Sequence, residues 1–290
     1  MLRALPLIFL ASCVSGLALA APIRFTGSDL LLGQVDVDMQ KFAKANDLDI
    51  SFDFKGSRLG LEALQAKTAD VGLLVFGADA IKPGPEFTSV VVGYLTTVIA
   101  VPETLTLSQV TYDQMAAIFG AREQNDMRRW ADVGVLGSQA QRSILSVAAG
   151  RRAGLSLDIF RYAVLTKPEL KPTVLIFDDA LSAAARISSE EGGIALLPAA
   201  PRADGKLKVL LLAKEAKDVA YGPTAENLHS GDYPLRLPIY LVFRKGDASR
   251  LGFVIKHLLA DETVPVLNAS GVTPLPTQAR NQVLFDLETM

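Results

Sequence analysis

The chain has 290 residues, half of them apolar, with 29 Lys plus Arg against 31 Asp plus Glu and a formal net charge of −2. Such a balance does not suit a nucleic-acid or anionic-membrane binder, which needs a basic excess to neutralise phosphates. A single cysteine and two histidines leave no disulfide framework and no Cys/His metal site, so the fold rests on its apolar core, which a chain of this length can build.

The N-terminus predicts export. Arg3 is the only charge before Arg24, and an apolar stretch over residues 4–20 closes on Ala18-Leu19-Ala20 before Ala21. A short basic start, an apolar centre and small residues at the cut describe a secretory signal peptide, here residues 1–20. Leu10-Ala11-Ser12-Cys13 offers a rival cut that would lipidate Cys13. The apolar run continuing past Cys13 favours cleavage after Ala20.

Strands and helices then alternate. Residues 23–26 read as a first strand ending at Gly27-Ser28-Asp29, followed by a helix with Leu31, Val35, Met39 and Phe42 on one face and Asp36, Asp38 and Lys41 turned outward. Residues 48–54 alternate as a second strand, Gly56-Ser57-Arg58-Leu59-Gly60 opens a helix through Lys67, and 71–76 is an apolar run of strand length. This β-α-β-α-β order predicts an α/β fold with a mainly parallel sheet and helices on its faces. Residues 90–101 form the longest β-type run, and 106–119 predict one or two short helices stopped by Gly120. Strands are then expected over 143–147, 174–177, 193–197 and 238–243, and helices over 155–165, 180–187 and 251–259. Two such units predict two lobes, residues 21–98 with 235–290 and residues 99–234, joined by a double crossing that permits hinge closure around a ligand.

Ligands in open parallel sheets lie beyond the carboxyl ends of the strands. Three loops expected there carry small, hydroxyl-bearing residues ahead of a helix: Thr26-Gly27-Ser28, Gly56-Ser57 and Ala153-Gly154-Leu155-Ser156. A helix start has unpaired N–H groups and partial positive charge, and so favours an oxyanion. Each loop alone also fits an ordinary helix cap. Arg58 beside Ser57, and Arg151-Arg152 ahead of the third loop, offer guanidinium forks suited to carboxylate or phosphate; the Arg pair reads equally as a solvated turn. Asp29 repels an anion when ionised, yet it can accept a proton from a hydroxyl or a monohydrogen oxyanion, or simply cap a helix. No catalytic constellation accompanies these residues. His229 and His257 lack metal spacing and His257 is expected at the surface, Glu190-Glu191 reads as a polar turn, and Trp130 reads as packing. Neither a Gly-x-Ser-x-Gly elbow nor a Walker loop is present. The expectation is binding without catalysis, metal or cofactor.

Several segments stand in a telling order: Thr26-Gly27-Ser28-Asp29, Lys55-Gly56-Ser57-Arg58-Leu59-Gly60, residues 64–76, residues 107–133 ending in Trp130-Ala131-Asp132-Val133, Gly192-Gly193-Ile194-Ala195, and residues 233–240. In that order, along nearly the whole mature chain, they resemble the PstS-type phosphate-binding solute receptors of ABC transporters. The resemblance implies the two-lobed type II periplasmic-binding-protein fold and a monomeric periplasmic receptor. It implies capture of phosphate or a related oxyanion between the lobes, with Gly27, Ser28, Asp29, Gly56, Ser57, Arg58, Arg151, Gly154 and Ser156 around the ligand, and delivery to a membrane permease. Phe76 and Gly77 join this set because the family places an Asp after the third strand. Two departures bear on the ligand. The family's Arg-x-x-Gly-Ser-Gly-Thr loop is represented by Arg151-Arg152-Ala153-Gly154-Leu155-Ser156, with one Gly gone and Leu155 intruding, and the nearest Asp after Phe76 is Asp79. The same fold with another small ligand, or a sensor or interaction module that has lost its ligand, therefore stands as the alternative.

Overall fold

The computed structural model describes residues 21–77, 82–189 and 192–289; the expected leader with Cys13, Asp79 and Glu190-Glu191 lie outside the described residues. The first three strands, β1 (Ile23–Gly27), β2 (Ile50–Asp53) and β3 (Val71–Val75), are parallel, as their helical connections require. α1 (Val35–Ala45) buries Val35, Met39 and Ala43, and α2 (Ser57–Gln65) buries Gly60, Leu61 and Leu64. The expected first helix is in fact broken. Leu31 sits in a separate 3-10 turn, Asp29–Leu31, capped by Ser28, and Gly33 at φ 93° interrupts the path to α1.

The long apolar run at 90–101 is likewise two elements. β4 (Phe87–Thr96) and β5 (Val98–Pro102) are separated by Thr97 alone and belong to different sheets. Periodicity cannot detect such a break, because both strands are buried and the division is made by their pairing partners. After β5 come β6 (Gln109–Thr111) and α3 (Tyr112–Phe119), the latter opened by a Thr111/Gln114 capping box. β7 (Leu145–Ala149), α4 (Ser156–Val164), β8 (Leu175–Phe177), α5 (Ala180–Ser188) and β9 (Gly193–Leu197) form the second β/α unit. β10 (Leu207–Val209), β11 (Leu211–Ala213) and α6 (Ala225–Ser230) precede the return strand β12 (Arg236–Arg244). The chain closes with α7 (Ala248–Leu258), α8 (Val264–Ala269), β13 (Thr273–Pro274) and α9 (Thr277–Glu288).

The six-stranded sheet has the order β13-β4-β12-β3-β1-β2 and the five-stranded sheet the order β10-β5-β9-β7-β8, with a small β11-β6 pair beside them. Each large sheet holds a parallel trio, β1–β3 or β7–β9, extended by antiparallel strands. Those antiparallel strands have a topological cause. β12 returns from the other lobe and therefore enters at the carboxyl ends of β1–β3, so it must run against them. β5 enters the second sheet in the same way. Both carboxyl edges thus face the crossings.

Trp130 is fully buried and donates its indole N–H to the Gly192 carbonyl at 3.2 Å, which agrees with a packing role. His257 differs from expectation. It stacks on Phe42 at 3.9 Å and its Nε2 lies 2.9 Å from Asp38 Oδ2, so it is half-buried between α7 and α1 rather than a free surface group. No helix among the described residues is long and apolar enough to cross a membrane.

At the end of the first sheet away from the crossings, Asp70 joins three elements. It accepts the Arg24 N–H and Nε–H, both at 2.9 Å to Oδ2, and an Arg250 Nη2–H at 2.8 Å to Oδ1. Burial alone would raise its pKa; the hydrogen bonds from Arg24 and Arg250 outweigh burial and hold the carboxyl below the usual range. The Asp70 side chain is 8% exposed, while Arg24 and Arg250 are 40% and 38% exposed, so solvent screens part of the attraction. Asp70→Asn is expected to destabilise by about 2 kcal/mol at neutral pH, measured by urea unfolding. A lowered folded-state pKa stabilises above the unfolded pKa and is lost as pH falls. The gap between wild type and variant should therefore close below about pH 4.

Candidate functional site

Three loops at the carboxyl edge of β1–β3 are bonded to one another. Gly27 O accepts Gly56 N–H at 2.8 Å, Leu73 O accepts Ser28 N–H at 2.9 Å, and Ser57 Oγ accepts Val75 N–H at 2.8 Å. Gly27 is required here: its φ is 143°, and a Cβ would stand 2.0 Å from the Leu73 carbonyl oxygen. Ser28 is 4% exposed, and its Oγ accepts the Leu30 N–H at 3.4 Å. A serine hydroxyl used as an acceptor keeps its proton for another partner, and this holds for both Ser28 and Ser57.

The second lobe contributes the loop between β7 and α4. A 3-10 turn, Arg151–Ala153, leads to Gly154 at φ 127° and then to Leu155, which occupies the N-cap position of α4 without any side-chain hydrogen bond to the helix. Leucine cannot cap. The first residue of the helix, Ser156, is 1% exposed, and its Oγ has no hydrogen-bond partner. Among the described residues the only other buried side-chain polar atom in that state is Arg161 Nε. A buried hydroxyl without a partner costs about 1–3 kcal/mol; at the uncapped start of a nine-residue helix it adds a donor to N–H groups that already favour negative charge.

Ser156 lines a cavity of about 400 Å³ whose walls come from both lobes. Asp29, Leu30 and Leu32 come from the loop after β1, Leu95 and Thr96 from the end of β4, and Ser270 and Gly271 from the approach to β13. Residues 152–156 and Pro198 close the other side. The structure thus brings the sequence candidates Asp29, Gly154 and Ser156 together, with Gly27 and Ser28 directly behind Asp29. The charged residues of this wall are one acid, Asp29, and one base, Arg152.

Other candidates are placed elsewhere. Arg58 was expected to face the cleft, but its guanidinium is 80% exposed and bonded to Glu62 at 2.5 Å, one helical turn along α2. The (i, i+4) spacing makes that pairing the nearest one available. Ser57 and Gly56 stay at the sheet edge and do not line this cavity. Phe76 and Gly77 line a separate cavity of about 460 Å³ with Lys82, Arg236 and Tyr240. Arg151 opens the 3-10 turn, and its side chain lies outside what is described. Its neighbour Arg152 reaches the cavity wall and pairs with Asp178 at 3.1 Å.

Sequence reading missed Thr96, Pro198, Ser270 and Gly271. The paired hydroxyls of Thr96-Thr97 inside an otherwise apolar strand run were the one available signal. Ser270 and Gly271 follow α8 late in the chain, and only tertiary folding carries them to the cleft. The assembled wall can donate hydrogen bonds to an oxyanion and accept one through Asp29. No cluster of His, Cys, Asp and Glu able to hold a metal occurs among the described residues.

No curated protein matches the chain in sequence. Its fold is that of several solved structures. A possible phosphate binding protein from Planctomyces limnophilus DSM 3776 is 16% identical with a TM-score of 0.69, over 94% of this chain and 99% of that one. An ABC-type phosphate transport receptor from Vibrio cholerae is 17% identical with a TM-score of 0.64, over 88% and 100%. PstS from Borrelia burgdorferi is 13% identical with a TM-score of 0.69, over 89% and 100%. These likenesses show the two-lobed type II periplasmic-binding-protein fold expected from the sequence. A family model described as a PBP superfamily domain matches residues 18–261, and the chain therefore belongs to the PBP superfamily.

Proposed function

We propose that this protein is an exported, monomeric receptor that captures phosphate or a related oxyanion between its lobes and presents it to the membrane permease of an ABC transporter. The observation that carries this reading is the buried, unpartnered Ser156 hydroxyl at the uncapped start of α4, in the wall of a cavity shared by both lobes. Such a group carries a cost of about 1–3 kcal/mol until something completes it, and a bound oxyanion would do so with charge-assisted hydrogen bonds. The phosphate receptors of the same fold support the choice of ligand.

In this reading Ser156 and the first N–H groups of α4 donate to the anion from one lobe. Ser28 turns its remaining proton to the anion from the other, and Arg152 supplies positive charge in place of Arg58. Asp29 accepts the proton of a monohydrogen or dihydrogen phosphate. Sulfate has no such proton at neutral pH, so Asp29 would repel it. The loops at Gly56-Ser57 and Phe76-Gly77, on the same carboxyl edge, meet the ligand when the lobes close. Among the described residues of the site no hydroxyl is bonded to a side-chain base, and the reading is one of binding without turnover.

Ligand-stripped protein should melt several degrees higher with phosphate at a hundred times its dissociation constant, a stabilisation of about 2.7 kcal/mol. The absence of a shift with phosphate, sulfate, molybdate, phosphonates and small carboxylates alike would reject the receptor reading. Ser156→Ala should weaken phosphate binding by roughly tenfold in calorimetry, about 1.4 kcal/mol; unchanged affinity would remove Ser156 from the site. Asp29→Asn should narrow the preference for phosphate over sulfate by roughly tenfold, read from the same titrations.

A further inference from the structure

Thr97 is the single residue between β4 in one sheet and β5 in the other, and it is fully buried. All three of its polar groups are engaged, two by the returning crossing and one by the start of α4. Its N–H donates to the Leu235 carbonyl at 3.0 Å, and its carbonyl accepts the Tyr233 hydroxyl at 2.6 Å. Its own hydroxyl donates to the Ser156 carbonyl at 2.5 Å. The Leu235 carbonyl also accepts the Thr96 hydroxyl at 2.7 Å. The outgoing crossing at Thr96-Thr97 and the returning crossing at Tyr233–Leu235 are therefore laced together, and the lacing ends on the first residue of α4. Burial pushes the Tyr233 phenol far above its usual range, so this donor keeps its proton at any physiological pH.

We propose that Thr97 is a positioning residue of the binding site, coupling the hinge between the lobes to the orientation of the Ser156 hydroxyl. This inference rests on the reading that Ser156 donates to the ligand. The physical argument is geometric. A rotation of one sheet against the other must turn the backbone at Thr97, because no other residue lies between β4 and β5. The Thr97 hydroxyl grips the carbonyl of Ser156, so the same rotation moves a residue of the cavity wall. By linkage, a ligand that holds Ser156 also biases the crossing. The floor of the cavity contains Leu95 and Thr96, directly before the crossing, so the ligand sits against the element it would control.

Thr97→Val keeps the shape of the side chain and both backbone bonds but removes the bond to Ser156; Thr97→Ser keeps that bond. Amide hydrogen exchange and phosphate calorimetry on the full chain test the coupling, with Thr97→Ala in place of Val should the valine variant fail to fold. In the ligand-free protein, exchange over residues 156–164 should speed up about fivefold in Thr97→Val while both sheets stay unchanged. Phosphate affinity should fall roughly tenfold, and Thr97→Ser should restore both. Unaltered exchange in α4, acceleration spread evenly over the molecule, or failure of the serine variant to restore would overturn the proposal. Wild-type protein that ignores phosphate while Thr97→Val still loosens α4 alone would reject phosphate as ligand and uphold the tie between hinge and helix.

Discussion

A crossing of one residue constrains everything around it. β4 and β5 are adjacent in the chain, lie in different sheets and have only Thr97 between them. Neither sheet can move far from the other at this point, and both must present their carboxyl edges to the shared space. The return strand then has no choice of direction: arriving at the edge where β1–β3 end, β12 must lie antiparallel between β3 and β4. The cleft is a consequence of this topology. Loops that end parallel strands are brought face to face.

That convergence explains where polar groups are left unsatisfied. At the opposite end of the first sheet, Asp70 is surrounded by donors from Arg24 and Arg250 and is held in its charged form. At the cleft, Leu155 stands where a capping side chain would normally be, and Ser156 Oγ has no partner. Asp70 thus contributes to stability at the far end of the first lobe, whereas the start of α4 in the second lobe leaves a buried donor without a partner. The contrast agrees with the general expectation that deviations from local satisfaction gather at functional sites.

The glycines and serines of the first lobe have a supporting part in this scheme. Gly27 allows the backbone of β1 to approach the Leu73 carbonyl, which lets Ser28 N–H bond there and fixes the start of the loop that carries Asp29. Ser57 ties the start of α2 to β3 rather than reaching into the cavity. Residues that look alike in sequence, a Gly-Ser turn before a helix, therefore take different positions according to what lies across from them.

Much of the architecture was legible in the amino-acid sequence. Alternation of apolar strands and amphipathic helices determined the α/β class, and the small-residue loops expected at strand ends marked the candidate edges. Asp29, Gly154 and Ser156 were among the candidates for that reason. The breaks at Gly33 and Thr97, the half-buried stacking of His257 on Phe42, and the pairing of Arg58 with Glu62 were decided only in three dimensions. Local pattern specifies what a residue can do along its own strand or helix, whereas partner, exposure and direction depend on segments far away in the chain. Thr96, Pro198 and Ser270 share one cavity only because two crossings return a distant segment to the first sheet. No spacing along a single strand or helix encodes that meeting.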